Sequence, residues 1–166
     1  MIYKSALIYR FLMQLLYGSG FEDRYRAVAQ EIPEGSEVVD LCCGDCYIFT
    51  HYLKKRNVHY LGMDAGQGFK RYAAKYRIPF RSWNMMDSGV PESDYILLMA
   101  SLYQFHDKAP KILATLLERA RKKLILTEPI INLAQSSNPV IAQLAKRLTQ
   151  SQKRFDEKTF RALLAP

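Results

Sequence analysis

Apolar and polar positions divide the chain into short buried runs separated by segments of helical period. Val38-Val39-Asp40-Leu41 reads as a strand entering a turn, Cys42-Cys43-Gly44-Asp45-Cys46, with a helix starting near Tyr47. Leu61-Gly62-Met63-Asp64 reads as a second strand that closes on a carboxylate, one strand-helix-strand unit after Asp40. A third runs from Phe80 into a polar turn ending at Asp87, a buried fourth covers Asp94 to Ser101, and a fifth, Leu124 to Thr127, leads into Glu128-Pro129. Strands that alternate with helices predict a parallel sheet with helices on its faces.

The ends of the chain read as helical. Ile8, Phe11, Leu12, Leu15 and Leu16 fall at i, i+3, i+4, i+7 and i+8, with Lys4, Arg10 and Gln14 outside that stripe. Such a helix over residues 1–20 packs on its own core, which the pattern favours, or else caps a pocket or lies on a membrane surface. Arg10 and Gln14 interrupt the run too early for a secretory signal, and no stretch is long and apolar enough to span a bilayer. Near the other end, Pro139 to Lys146 reads as helix, and Asp156 as the N-cap of a further one.

Composition narrows the picture. A chain of 166 residues with 49% hydrophobic and 24% charged positions is expected to form one compact domain, residues 1–166. The net charge of +8 would suit a polyanion partner, but Lys54-Lys55-Arg56, Lys70-Arg71, Arg121-Lys122-Lys123 and Lys146-Arg147 are short, scattered and beside predicted helix ends. Nucleic acid is disfavoured as a partner on that pattern. Three cysteines within five positions, without a secretion signal, point to a reducing, cytoplasmic setting.

The order of the motifs resembles the Rossmann-like (class I) S-adenosylmethionine-dependent methyltransferases, and Asp40-Leu41-Cys42-Cys43-Gly44 is similar to the quinone-biosynthesis, small-molecule type. The resemblance covers the chain from about Asp23 onward. It implies an α/β fold, a three-layer sandwich of mostly parallel sheet with helices on both faces. Relatives continue into two further strands for which no residues remain here, so the expectation is a shortened or minimal five-stranded version. The edge beside Leu124 to Thr127 would then be open to homodimer formation.

The same resemblance implies S-adenosylmethionine as cofactor and a small-molecule acceptor. The places of the family's three glycines hold Cys42, Gly44 and Cys46. Backbone around Cys42 and Gly44 would face the methionine part, with Asp40 steering its ammonium. Asp64 would take the ribose hydroxyls, with Ala65 beside it, although a carboxylate before Gly66 also reads as an ordinary turn cap. Asn84 and Met85 would meet the adenine, and Trp83 would fill the sheet. Ala100 ends the fourth strand at the cofactor, and Ser101-Leu102-Tyr103-Gln104-Phe105 follows where many relatives carry histidines. Tyr103, His106 and Glu128 are the candidates for acid-base work, which in-line methyl displacement does not require. Tyr17 and Tyr47 are candidate pocket walls.

Other readings remain open on the residues. Cys43-Gly44-Asp45-Cys46 is a C-x-x-C at a strand-to-helix turn, the setting of a thiol redox pair. A zinc site is disfavoured because adjacent strand residues point to opposite faces, so no metal is expected. The chain could also be a nucleoside-binding module without catalysis, given two of three glycines replaced. A dinucleotide oxidoreductase would need Gly-x-Gly-x-x-Gly, which is absent.

Overall fold

The structure, a computed structural model, describes residues 10, 11, 13, 14, 20–129, 143 and 155–164. The described elements are α1 (Gly20–Gln30), β1 (Glu37–Leu41), a π-helical turn (Phe49–Leu53), β2 (His59–Asp64), α2 (Gln67–Lys75), β3 (Phe80–Ser82), β4 (Ser93–Met99), a 3-10 turn (Leu102–Lys108), α3 (Ala109–Arg119), β5 (Ala120–Thr127) and α4 (Glu157–Leu164).

Five strands form one parallel sheet in the order β3-β2-β1-β4-β5. The order steps outward from β1 to β3 and then jumps to the other side of β1, so the connections diverge between β1 and β4 at the carboxyl ends of the central strands. Alternation along each strand feeds two cores. Val38, Tyr60, Tyr95 and Leu97 pack against Phe21, Val28, Ile48, Leu53 and Ala73 on the α1 and α2 side. Val39, Leu41, Met63, Ile96 and Leu98 pack against Leu102, Leu113, Leu116 and Phe155 on the α3 side. Side chains of this size contribute about 1.5–3 kcal/mol each on full burial. The result is the three-layer α/β sandwich expected of the pattern.

The third strand, Phe80–Ser82, leads into the expected polar turn, where Trp83 turns into the core and Asn84 accepts the Met86 amide through its side chain at 3.0 Å. Two local readings are corrected. β5 begins at Ala120 instead of Leu124, directly after α3, so Arg121, Lys122 and Lys123 lie beside the helix end as expected but on the strand, paired with Glu37, Asp94 and Glu31. At the N-terminus, Arg10 faces inward and Phe11 is 65% exposed, the reverse of the predicted stripe. The cause is Asp45, a buried carboxylate whose Oδ2 accepts from Arg10 Nε at 2.7 Å, while Arg10 also lies over the Tyr47 ring. The residues of 1–19 other than 10, 11, 13 and 14, Tyr17 among them, and the segment 139–146 apart from residue 143 lie outside the described residues. Asp156 does cap α4, its Oδ1 accepting the Thr159 amide at 2.7 Å.

Candidate functional site

The first strand delivers its turn in a conformation that glycine would adopt at least cost. Cys42, Gly44 and Cys46 have φ of 53°, 57° and 55°, so the three positions at glycine spacing are all left-handed. Only the middle one is free of a Cβ penalty of roughly 1 kcal/mol or more. The amides of the turn are held within the protein, Cys43 on the Met63 carbonyl, Gly44 on Asp64 and Cys46 on the Cys43 carbonyl. Ala100, ending β4, is also left-handed with φ 51°, and its amide donates to the Thr127 carbonyl.

Above the carboxyl ends of the strands lies a cleft of about 240 Å³. Cys42 and Gly44 line it from β1, Asp64 and Ala65 from β2, Trp83, Asn84 and Met85 from β3, and Ser101, Gln104 and Phe105 from β4, with Phe69 of α2 closing one side. Six residues singled out from the sequence therefore meet here: Cys42, Gly44, Asp64, Ala65, Asn84 and Met85. A second cleft of about 440 Å³ shares Trp83 and Met85 with the first and runs along α3 past Lys108, Lys111 and Ile112.

Asp64 organises the first cleft. Its Oδ2 accepts the Gly44 amide at 3.0 Å and its Oδ1 the Gly66 amide at 2.7 Å, so the turn-cap reading of this residue holds while its carboxylate also lines the cleft. Burial raises its pKa, against the lowering effect of these amides. Asp40 lies beneath the cleft instead of on its wall: it is buried, Tyr60 donates to its Oδ2 at 2.7 Å, and its Oδ1 has no partner. Loss of solvation pushes its pKa up to about 7, with the Tyr60 hydrogen bond opposing and the charges of Asp64 and Asp45 adding.

The acid-base candidates fall elsewhere. Tyr103 is half-buried against the α3-side core. The His106 ring stacks on Phe155 at 4.6 Å. Glu128 accepts three backbone amides, from Ser101 at 2.9 Å, Leu102 at 2.7 Å and Tyr103 at 3.3 Å, so its carboxylate fixes the loop after β4. Tyr47, proposed as a wall, is a core residue whose hydroxyl donates to Glu22. Sequence reasoning missed Trp83, Phe69, Gln104 and Phe105 as cleft residues; only the position of Gln104 and Phe105 in the loop after the fourth strand pointed there.

The cysteines divide as adjacent residues must. Cys42 faces the cleft, and burial pushes its pKa up to about 12. Cys43 and Cys46 lie on the other face, beneath the turn, and burial raises Cys43 well above its ordinary value. A disulfide oxidoreductase needs the opposite, a lowered nucleophile. Among the described residues no group of three or more His, Cys, Asp or Glu is arranged to hold a metal, and no helix is long and apolar enough to cross a membrane.

No family profile and no curated protein sequence matches the chain. Solved structures do. A putative O-methyltransferase from Nostoc punctiforme PCC 73102 superposes with a TM-score of 0.63 at 15% identity, over 92% of this chain and 52% of that one. Magnesium protoporphyrin IX methyltransferase from Synechocystis PCC 6803, solved with S-adenosylhomocysteine (SAH), gives 0.60 at 16% identity, over 92% of this chain and 80% of that one. Coclaurine N-methyltransferase bound to N-methylheliamine and SAH gives 0.53 at 22% identity, over 63% of this chain and 34% of that one. The chain thus spans between a third and just over half the length of several of the structures it matches. These likenesses define the fold as the Rossmann-like methyltransferase fold.

Proposed function

We propose that this chain binds S-adenosylmethionine and transfers its methyl group to a small acceptor, an apolar or aromatic metabolite or a lipid precursor, as a single cytoplasmic domain. The observation that carries the reading is the Asp64 carboxylate on the cleft wall. Its two oxygens accept the Gly44 and Gly66 amides and lie side by side on the cleft wall, an acceptor pair that suits the two adjacent hydroxyls of a ribose. The left-handed turn supports a methionine part at Cys42 and Gly44, where backbone can approach closely. Met85, Trp83 and Phe69 offer apolar surface to an adenine, and the Asn84 side-chain amide offers donors to its ring nitrogens, since its oxygen is held by Met86. The Asp40 to Gly44 string supports the quinone-biosynthesis type among such enzymes.

Bound S-adenosylmethionine supplies a methyl group activated by a sulfonium. What the chain contributes is alignment and exclusion of water, from Phe105, Trp83 and Met85 on the cleft wall. Displacement at a sulfonium needs no obligatory base, and Glu128 is committed to three amides. A second reading, motivated by the two replaced glycine positions, is a nucleoside-binding module without turnover.

Calorimetric titration with S-adenosylmethionine and SAH, on the native chain and on Asp64→Ala, tests both. Micromolar binding lost in the variant, followed by methyl transfer to any acceptor of a small-molecule screen, supports the enzyme. Binding without transfer to any acceptor supports the module. No binding by the folded chain contradicts both.

A further inference from the structure

We propose that Cys43 and Cys46 form a reversible disulfide, a modification site beneath the turn that carries Gly44, made by exchange with a small disulfide of the glutathione class. The two Sγ atoms lie 3.6 Å apart as free thiols. The Cys46 amide donates to the Cys43 carbonyl at 2.9 Å, closing a four-residue turn. Such a turn brings its end Cα atoms within about 7 Å, inside or next to the span that a disulfide bridges.

Room for the bond is provided by Gly62 of β2. A Cβ at this position would stand 2.9 Å from Cys43 Sγ and 3.1 Å from Cys46 Sγ, so the two sulfurs sit side by side in the space that the absent side chain leaves. Pairing is specified by the pleat. Cys42 faces the cleft on the opposite side of the turn, leaving Cys43 and Cys46 as mutual partners. The candidate site uses neither thiol.

Exposure orders the chemistry. Cys46 is fully buried and Cys43 is the less buried residue of the two, so Cys43 takes the first step once the turn opens to an exogenous disulfide. Its thiolate attacks one sulfur of glutathione disulfide, forming a mixed disulfide and releasing one glutathione. Cys46 then displaces the second glutathione. The protein loses two thiol hydrogens and two electrons, and two glutathione thiols gain them. Because burial raises the Cys43 thiol, the first step is slow at neutral pH and accelerates as pH rises. The bond closes a ring around Gly44, whose amide Asp64 holds, and so stiffens the turn. That consequence for ligand binding rests on the function proposed above; the disulfide does not.

The test needs no ligand. Full-length chain is equilibrated in glutathione buffers from reducing to oxidising, quenched with acid, alkylated with a maleimide and mapped by peptide mass spectrometry. Expected is an oxidised protein lighter by two hydrogens that takes up one maleimide, at Cys42, where the reduced protein takes up three. Cys42→Ser should retain the internal bond, and Cys46→Ser should stop at a Cys43–glutathione adduct. Three alkylatable thiols at every poise, a mixed disulfide that persists in the native chain, or a bond that includes Cys42 would each overturn the proposal.

Discussion

The Gly44 amide donates to the Asp64 carboxylate across 3.0 Å, joining the turns that follow two adjacent parallel strands. With Gly66 on its other oxygen, one side chain fixes the loops on either side of the cleft. Asp64→Ala leaves two amides without this acceptor, an expected loss of about 1–3 kcal/mol of stability in denaturant unfolding. SAH affinity should fall by more than about tenfold, well over 1 kcal/mol. Asp64→Asn, which keeps the shape and one acceptor oxygen, should lie between the two.

Gly62→Ala should destabilise the fold by about 1–3 kcal/mol, since the new methyl meets Cys43 Sγ, Cys46 Sγ and the Tyr60 hydroxyl at 2.9–3.1 Å. In a Cys43→Ala background the same change should cost less. Thermal unfolding of the double-mutant cycle measures the difference as a coupling between neighbours.

Stability should depend on pH through Asp40. The folded chain holds this proton up to about pH 7, whereas an unfolded carboxyl releases it near 3.8. Between those values the folded state binds more protons, so stability falls as pH rises and levels off above about 7. Asp45 and Asp64, both raised by burial, act in the same direction. Asp40→Asn should flatten the profile and be more stable than the native chain at pH 8 in denaturant unfolding, by on the order of a few kcal/mol.

Arg10→Ala would strip the buried Asp45 carboxylate of its guanidinium, 2.7 Å away. A loss of roughly 3 kcal/mol at neutral pH is expected in chemical denaturation, and the pair Arg10→Met with Asp45→Asn should recover much of it, because no uncompensated charge remains.

Much of the site could be read along the chain because its parts are local. A strand ending on Asp64 and a turn with residues at glycine spacing follow each other within one strand-helix-strand unit, and Cys42, Gly44 and Cys46 all take the left-handed φ that such spacing suggests. Arg10 was misread because a stripe counts apolar residues and is blind to a buried acid 35 positions away that needs a cation. The engagement of Glu128 with Ser101, Leu102 and Tyr103 is likewise a contact between distant segments. Trp83 and Phe69 look like core in any periodicity, and only the third dimension puts one edge of each on the cleft.

The most direct test of the nucleoside cleft is amide chemical-shift mapping of the isotope-labelled chain during titration with SAH. The account predicts saturable shifts at Gly44, Ala65, Met85 and Ser101, which surround the Asp64 carboxylate, with Thr115 at the far end of the second cleft unmoved. Absence of shifts in the folded chain, or shifts gathered around Lys111 and Thr115 instead, would contradict it.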